Sequence, residues 1–278
     1  MPKKTPPADT DGKSLFPRAP VNEIFFSYQG EGERLGEPQI FIRLAGCNLK
    51  CSYCDTPQAL KKKNGKLMSV SEVVGKVELL RRKNRFIPSV VSITGGEPLI
   101  HAEFLRQLIP YLKKMSLKVM LETNGSVFPS ETVKKILRQV HFVSADIKLP
   151  SSAIKTTATA CAIFKKHSVF LKEVPPEKLC LKIPITSATN EKEFCRAAAL
   201  VKKYTPQSVP VFIQPVSPSR KRAEGGSPSY HATDASSCNQ LPSPQKVFIL
   251  GSLAKKILGH RRKIHIMPQM HKLYWKIK

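Results

Sequence analysis

A regular alternation of short apolar, β-branched runs with stretches of helical period constrains the fold of this chain more than any other feature. Strand candidates fall at 21–27, 39–45, 89–93, 118–121, 141–145, 179–185, 209–213 and 263–266. Within 69–82, Val70, Val73, Val74, Val77 and Leu80 form one stripe at helical spacing, and Ser69 with Glu72 supplies a capping box at its start. Asn190 with Glu193 opens a helix at 191–203 in the same way, and 101–114, 130–139 and 246–258 are further helix candidates. Such alternation predicts an α/β protein with a mostly parallel sheet, which over 278 residues can close wholly or in part into a (β/α) barrel. The polar stretches 46–48, 94–98, 122–125, 146–148, 214–215 and 268–269 each follow a strand candidate. Barrel enzymes build their sites at that edge, so one site assembled from nearly every strand is expected.

Cys47, Cys51 and Cys54 put three thiols into eight residues at one of these positions. A structural zinc site takes four ligands, commonly as two close pairs, and no second pair exists. A 4Fe–4S cluster ordinarily takes four thiolates, so three would leave one iron open to an exogenous ligand. Gly46 lets the backbone bend just before the first cysteine, and Gly95 and Gly96 suit backbone that must approach a ligand closely. Cys161, Cys180, Cys195 and Cys238 are scattered without ligand spacing and read as structural. An odd count of seven cysteines, with no export signal, favours reduced thiols or a metal site over a disulfide framework, hence a cytoplasmic protein. No run of eighteen apolar residues exists, so no membrane span is expected. Five prolines and no apolar stretch in residues 1–20 read as a disordered tail, and 217–245, with seven Ser and four Pro, as a flexible insertion. What remains is a single domain over 21–278.

The cysteine spacing, together with Thr94-Gly95-Gly96-Glu97-Pro98, resembles the radical S-adenosylmethionine superfamily. Tyr28-Gln29-Gly30-Glu31-Gly32, the stretch 41–49, Cys54-Asp55-Thr56, the ETNG at 122–125, Asp146-Ile147-Lys148, Gln214-Pro215 and the PQMHK at 268–272 resemble, more narrowly, the 7-carboxy-7-deazaguanine synthase family. The resemblance covers roughly 21–216 and 246–278. It implies the partial or modified barrel of the radical S-adenosylmethionine type and a radical ring contraction. In that reaction 6-carboxy-5,6,7,8-tetrahydropterin loses ammonia to give 7-carboxy-7-deazaguanine, on the route to queuosine and other 7-deazapurines. It also implies a 4Fe–4S cluster on Cys47, Cys51 and Cys54, S-adenosyl-L-methionine on the open iron, and Mg²⁺. By the same resemblance Tyr53, Cys54 and Asp55 flank the adenosine, and Gly95, Gly96 and Glu97 line the methionine end. Asp146, Ile147, Lys148, Gln214 and Pro215 touch the ribose or carboxylate. Substrate falls to Tyr28, Gln29, Gly30, Glu31, Arg43, Thr94, His271 and Lys278. The planar fork of Arg43 suits a carboxylate, and Glu31 can accept from an amino-pyrimidine edge or serve only as a turn residue. Thr56 is either the Mg²⁺ ligand or a helix N-cap. The family's partners imply a homodimer and a flavodoxin or ferredoxin as electron donor.

Two features depart from the family pattern: bulky Trp275 near the chain end, where many members carry a glycine, and the 217–245 insertion. The charge is also extreme, 46 basic against 20 acidic residues for a net +26, with nine Lys or Arg and no Asp or Glu after Gln245. Such a field favours anionic partners, an acidic electron donor among them. No aromatic-interleaved RNA motif accompanies it, so direct nucleic-acid binding is not expected. Two other readings stay open: an activase that installs a glycyl radical on a partner enzyme, and a basic RNA- or acidic-protein-binding module with a vestigial cluster.

Overall fold

Nine strands make one sheet in the computed structural model, which describes residues 17–84, 88–153, 160–216 and 241–270. In chain order the elements are β1 (Ala19–Tyr28), β2 (Pro38–Leu44), β3 (Lys66–Met68), α1 (Val70–Lys83), β4 (Val90–Gly95), α2 (Ala102–Lys114), β5 (Lys118–Thr123), α3 (Glu131–Gln139), β6 (Phe142–Asp146), α4 (Pro150–Ala153), α5 (Ala160–Leu171), β7 (Leu179–Ile185), α6 (Glu191–Tyr204), β8 (Val211–Pro215), α7 (Pro244–Leu258) and β9 (Ile264–Ile266). The sheet order is β3-β1-β2-β4-β5-β6-β7-β8-β9. From β2 to β9 every neighbouring pair is parallel, while β1 runs antiparallel to both β2 and β3.

Alternation along β2 assigns the two faces. Ile40, Ile42 and Leu44 enter one core with Val73, Val77, Leu105 and Leu108 of α1 and α2, whereas Gln39 turns the other way to meet Gln29 and Met120. The second face is therefore the polar interior, and it is curled. Lys182 on β7 lies five strand spacings from β1, about 24 Å across a flat sheet, yet its ammonium is 2.7 Å from Glu31, just past β1. An open sheet that closes this far is a partial (β/α) barrel. Both expected capping boxes form, Ser69 with Glu72 at α1 and Asn190 with Glu193 at α6.

Several expectations need correction. Ala19 and Pro20 belong to β1, not to a tail, because Ala19 is fully buried and both pair with β3; residues 1–16 lie outside the described part. Helix α7 starts at Pro244, with Ser243 accepting from the Lys246 amide, so the end of the supposed insertion is helical; residues 217–240 are not described. Gln214 and Pro215 end strand β8 and do not follow it, because they pair in register with Pro184 and Ile185 at the end of β7. The three-residue β3 and the helices α4 and α5 were not foreseen. Among the described residues no helix is long and apolar enough to cross a membrane.

Candidate active site

The cysteine loop is shaped by its backbone before its thiols. Gly46 adopts φ +107°, which favours glycine, and its amide donates to the Ala59 carbonyl at 2.7 Å, while the Cys47 amide donates to Leu60 at 3.1 Å. The loop from 46 to 60 thus closes on itself at the end of β2. Gly95 and Gly96 pack against it. A Cβ on Gly95 would meet the Leu44 carbonyl at 2.1 Å, and one on Gly96 the Gly46 carbonyl at 2.1 Å. The close approach inferred from these glycines is therefore to backbone, and it locks the GGEP stretch to the cysteine loop.

Glu97 completes that lock. Its fully buried carboxylate accepts from the Leu99 amide at 3.0 Å, the Thr123 hydroxyl at 2.8 Å and the Asn124 amide at 2.7 Å. It joins the ends of β4 and β5, beside Gly95 and Gly96 of the same motif. Burial pushes its pKa up to about 7 against the pull of those donors. Asn124, held in this way, turns its side-chain amide to Asn48 Oδ1 at 2.8 Å and to Cys47 Sγ at 3.8 Å. The Leu49 amide donates to the same sulfur at 3.4 Å.

Burial pushes the Cys47 thiol up to about 11 and raises Cys51 as well, with the Lys148 ammonium opposing the rise at Cys51. Thiols must lose their protons to bind metal, so iron binding here releases protons. Among the described residues no three His, Cys, Asp or Glu side chains converge on a single ion. A cuboidal cluster requires wider spacing, since each thiolate takes a different iron, and the amides aimed at Cys47 suit a thiolate. The donor set fits a three-cysteine cluster. Thr56 begins a short 3₁₀ turn without capping it, and its hydroxyl is 4.0 Å from Cys54 Sγ.

A second layer of polar groups lies below this loop, inside the curl. Residues 29–37 enter from the opposite edge of the sheet, because β1 is antiparallel and Tyr28 pairs with Pro38 at the start of β2. Arg34 pins the loop by stacking 3.8 Å from the Phe142 ring centroid. Gln29 Nε2 donates to Glu122 at 2.8 Å and its Oε1 accepts from the Glu31 amide at 3.1 Å; Thr94 Oγ1 also donates to Glu122, at 2.9 Å. Glu31 is gripped at both oxygens, by Lys182 Nζ at 2.7 Å and by Gln269 Nε2 at 3.1 Å. Lys182 also stands 3.3 Å from Asp146, and Asp146 pairs with Lys148 at 2.7 Å. Gln269 also reaches Asp55, at 3.3 Å. Burial works to lower both lysines, but Asp146, shared between them, together with Glu31 at Lys182, holds both pKa values well above the ordinary lysine range.

The structure thus brings Glu31, Asp146 and Lys148 into one ionic chain through Lys182, joins Asp55 to it through the Gln269 amide, and brings Gln29 and Thr94 onto Glu122. Lys148 Nζ also lies 5.1 Å from the Tyr53 ring centroid, at the cysteine loop. Gly30 contributes its carbonyl, which accepts from the Met270 amide at 3.2 Å and ties the C-terminal segment to this loop. Other expected residues stand apart. The Ile147 side chain is in the apolar core, so only its backbone faces the motif. Tyr28 ends β1 at the far edge from the cysteines, with its ring edge-on to Phe26. Arg43 Nε is taken by Glu23 at 2.6 Å and its guanidinium lies 5.3 Å from the Phe25 ring centroid. Gln214 and Pro215 are buried at the end of β8. His271 and Lys278 lie outside the described residues. Sequence reading placed Glu122, Asn124 and Gln269 in site-edge motifs without giving any of them a role, and it missed Lys182. A lysine inside the apolar run LCLKIPI was the one available signal, since lysine is almost never fully buried unless paired.

A three-cysteine loop at the strand ends of a mostly parallel, curled sheet, in a chain whose residues 41–166 match the radical SAM superfamily, defines a radical S-adenosylmethionine protein. That class implies a 4Fe–4S cluster and S-adenosylmethionine. The fold overlaps that of QueE from Escherichia coli with a TM-score of 0.56 at 18% identity, over 90% of this chain and 94% of that one. Streptococcus suis SuiB bound to S-adenosylmethionine matches with a TM-score of 0.51 at 11% identity, over 84% of this chain and 51% of that one. The 7-carboxy-7-deazaguanine synthase of Geobacter sulfurreducens is 32% identical over 215 residues, which is 72% of this chain and 82% of that protein. The enzyme of the same name from Methanothermobacter thermautotrophicus is 33% identical over 229 residues, 76% of this chain and 87% of that protein. The chain belongs to the 7-carboxy-7-deazaguanine synthase family.

Proposed function

We propose that this chain converts 6-carboxy-5,6,7,8-tetrahydropterin to 7-carboxy-7-deazaguanine with loss of ammonia. The product differs from the substrate by ammonia alone, so the rearrangement is redox-neutral. The observation that carries the reading is Glu31, an interior carboxylate linked on one side to Asp55 of the cysteine loop and on the other to Asp146. When bound, the cluster and S-adenosylmethionine supply the reducing electron and the hydrogen-abstracting group. Cys47, Cys51 and Cys54 would hold the cluster through three thiolates, leaving it open to S-adenosylmethionine, with Tyr53, Gly95, Gly96 and Glu97 beside it. Glu31, accepting from the amino-pyrimidine edge, orients the ring, and Gln29 and Thr94 fix the wall beside it through Glu122. Arg43, by exchanging Glu23 for the substrate's carboxylate, is the fork that would hold it. The Thr56 hydroxyl, which makes no cap bond, would serve as a magnesium ligand together with substrate oxygens. His271 and Lys278, which lie outside the described residues, are assigned to the substrate by the family resemblance alone. Homodimerisation and reduction by a flavodoxin or ferredoxin belong to the same reading.

The test is anaerobic incubation of the cluster-loaded protein with reductant, S-adenosylmethionine, Mg²⁺ and the carboxytetrahydropterin. Ammonia release together with a deazaguanine ultraviolet spectrum is expected. A loaded, reduced protein that forms no 7-carboxy-7-deazaguanine overturns the substrate assignment.

A further inference from the structure

We infer that Lys182 and Gln269 are positioning residues that couple the substrate site to the cofactor site, so that S-adenosylmethionine and the pterin tighten each other's binding. The inference rests on the reading of Glu31 as a pterin-contacting carboxylate. Neither residue faces a ligand by that reading; both act through Glu31.

Glu31 has two oxygens, and each is held by a residue whose other contact belongs to a different cofactor motif. On Oε2, Lys182 Nζ at 2.7 Å is also 3.3 Å from Asp146 Oδ1, the first residue of the Asp146-Ile147-Lys148 motif. On Oε1, Gln269 Nε2 at 3.1 Å also reaches Asp55 Oδ2 at 3.3 Å, next to the last cysteine. Lys182 and Gln269 are themselves almost completely buried, at 6% and 8% exposure. Lys182 is paired in register with Asp146 on the adjacent strand, and its carbonyl accepts from the Ile147 amide at 2.8 Å, so backbone and side chain fix the same junction. Gln269 is fixed by its neighbour, since the Met270 amide donates to Gly30, one residue before Glu31.

The arrangement Asp55–Gln269–Glu31–Lys182–Asp146 is a chain with the substrate carboxylate at its centre and a cofactor-side acid at each end. A ligand that orders either acid sets the position of its bridging residue, and both bridges converge on the orientation of Glu31. Coupling of this kind is reciprocal by thermodynamic necessity. Glu31 and Asp146 share the Lys182 ammonium, and Glu31 and Asp55 share the Gln269 amide, so at this low exposure a shift of either acid moves the donor it shares with Glu31.

Binding of the carboxytetrahydropterin to cluster-loaded, unreduced enzyme, measured with and without S-adenosylmethionine, reads the coupling without turnover. In the wild type S-adenosylmethionine should tighten the pterin Kd by about tenfold. In Lys182→Met that factor should fall close to one, with KM raised more than kcat is lowered. Lys182→Arg, which keeps the charge, should restore part of it. Gln269→Ala breaks the other bridge without leaving a charge unpaired, and should reduce the factor on its own, which decides the matter if Lys182→Met does not fold. Both variants folded, with the wild-type factor and KM, overturn the inference. So does a wild type that makes product yet has a factor of one, and that result leaves the substrate assignment intact. A wild type that binds no pterin and makes no product overturns the assignment and the coupling together.

Discussion

Glu97 illustrates what a motif residue can be for. Three buried donors end on its carboxylate, and one of them belongs to Asn124, whose side chain reaches the sulfur of Cys47. Glu97→Ala leaves those donors without an acceptor and should cost about 3 kcal/mol, read as a lowered urea midpoint at unchanged m-value. The same variant should hold less iron per chain after reconstitution, because Asn124 is no longer fixed beside the thiol. Glu97→Gln keeps an acceptor and should lie between it and the wild type. At this scale the sequence was legible where a residue type has one purpose, as with the cysteines. It was not legible for side chains whose role depends on distant partners: Lys182 and Glu31 are 151 positions apart, Gln269 and Asp55 are 214 apart, and no local pattern announces either pair. Spacing alone likewise does not reveal that Glu97 joins β4 to β5 through Thr123 and Asn124.

Elements are positioned by contacts of another kind, and α5 shows one. Its His167, fully buried, donates from Nδ1 to the Gly125 carbonyl at 2.9 Å and accepts from the Lys148 amide at Nε2 at 3.0 Å, so it joins the loops after β5 and β6. Only the neutral ring can do both, and burial holds its pKa down at about 4. An unfolded histidine titrates near about 6.5, so between those values the unfolded chain binds the proton that the fold refuses. His167 therefore contributes fully above about pH 6.5, and its contribution, about 3 kcal/mol at most, is lost as pH falls toward 4. Glu97, raised to about 7, acts in the opposite sense, its contribution being present at low pH and lost as pH rises through 7. The comparison with His167→Gln isolates the histidine: chemical denaturation should find the wild type losing stability from pH 7 to pH 5 by more than the variant does. The strands and the two boxed helices were legible because hydrophobic period and capping chemistry are local. Helix α5, Ala-Cys-Ala-Ile-Phe-Lys-Lys-His-Ser-Val-Phe-Leu, was not, because its apolar residues are not confined to one face. A strand of three residues such as β3 is too short to display a period of two.

For the molecule as a whole, charge and curl belong to different surfaces. The polar interior is internally paired, and among the described Lys and Arg residues only Lys148, Lys182 and Arg262 are buried, so little of the chain's excess of 46 basic over 20 acidic residues lies there. After Gln245 no acidic residue tempers it, and there α7 carries Lys255 and Lys256 while exposing Phe248 at 74% and Ile249 at 43%. Basic and exposed apolar side chains on one helix suit a negatively charged protein that must dock briefly, which is the demand an electron donor makes. Field-steered encounter raises association rates by about tenfold or more, and salt abolishes the gain because the screening length shrinks to about 8 Å at physiological ionic strength. Reduction of the cluster by an acidic flavodoxin or ferredoxin, followed by stopped-flow absorbance at donor concentrations below saturation, should therefore slow steeply as salt is added. Lys255→Glu with Lys256→Glu should slow it at low salt, converging on the wild type at high salt, while the rate with a small uncharged photoreductant stays unchanged. A reduction rate indifferent to salt in the wild type would show that the charge serves something other than electron delivery.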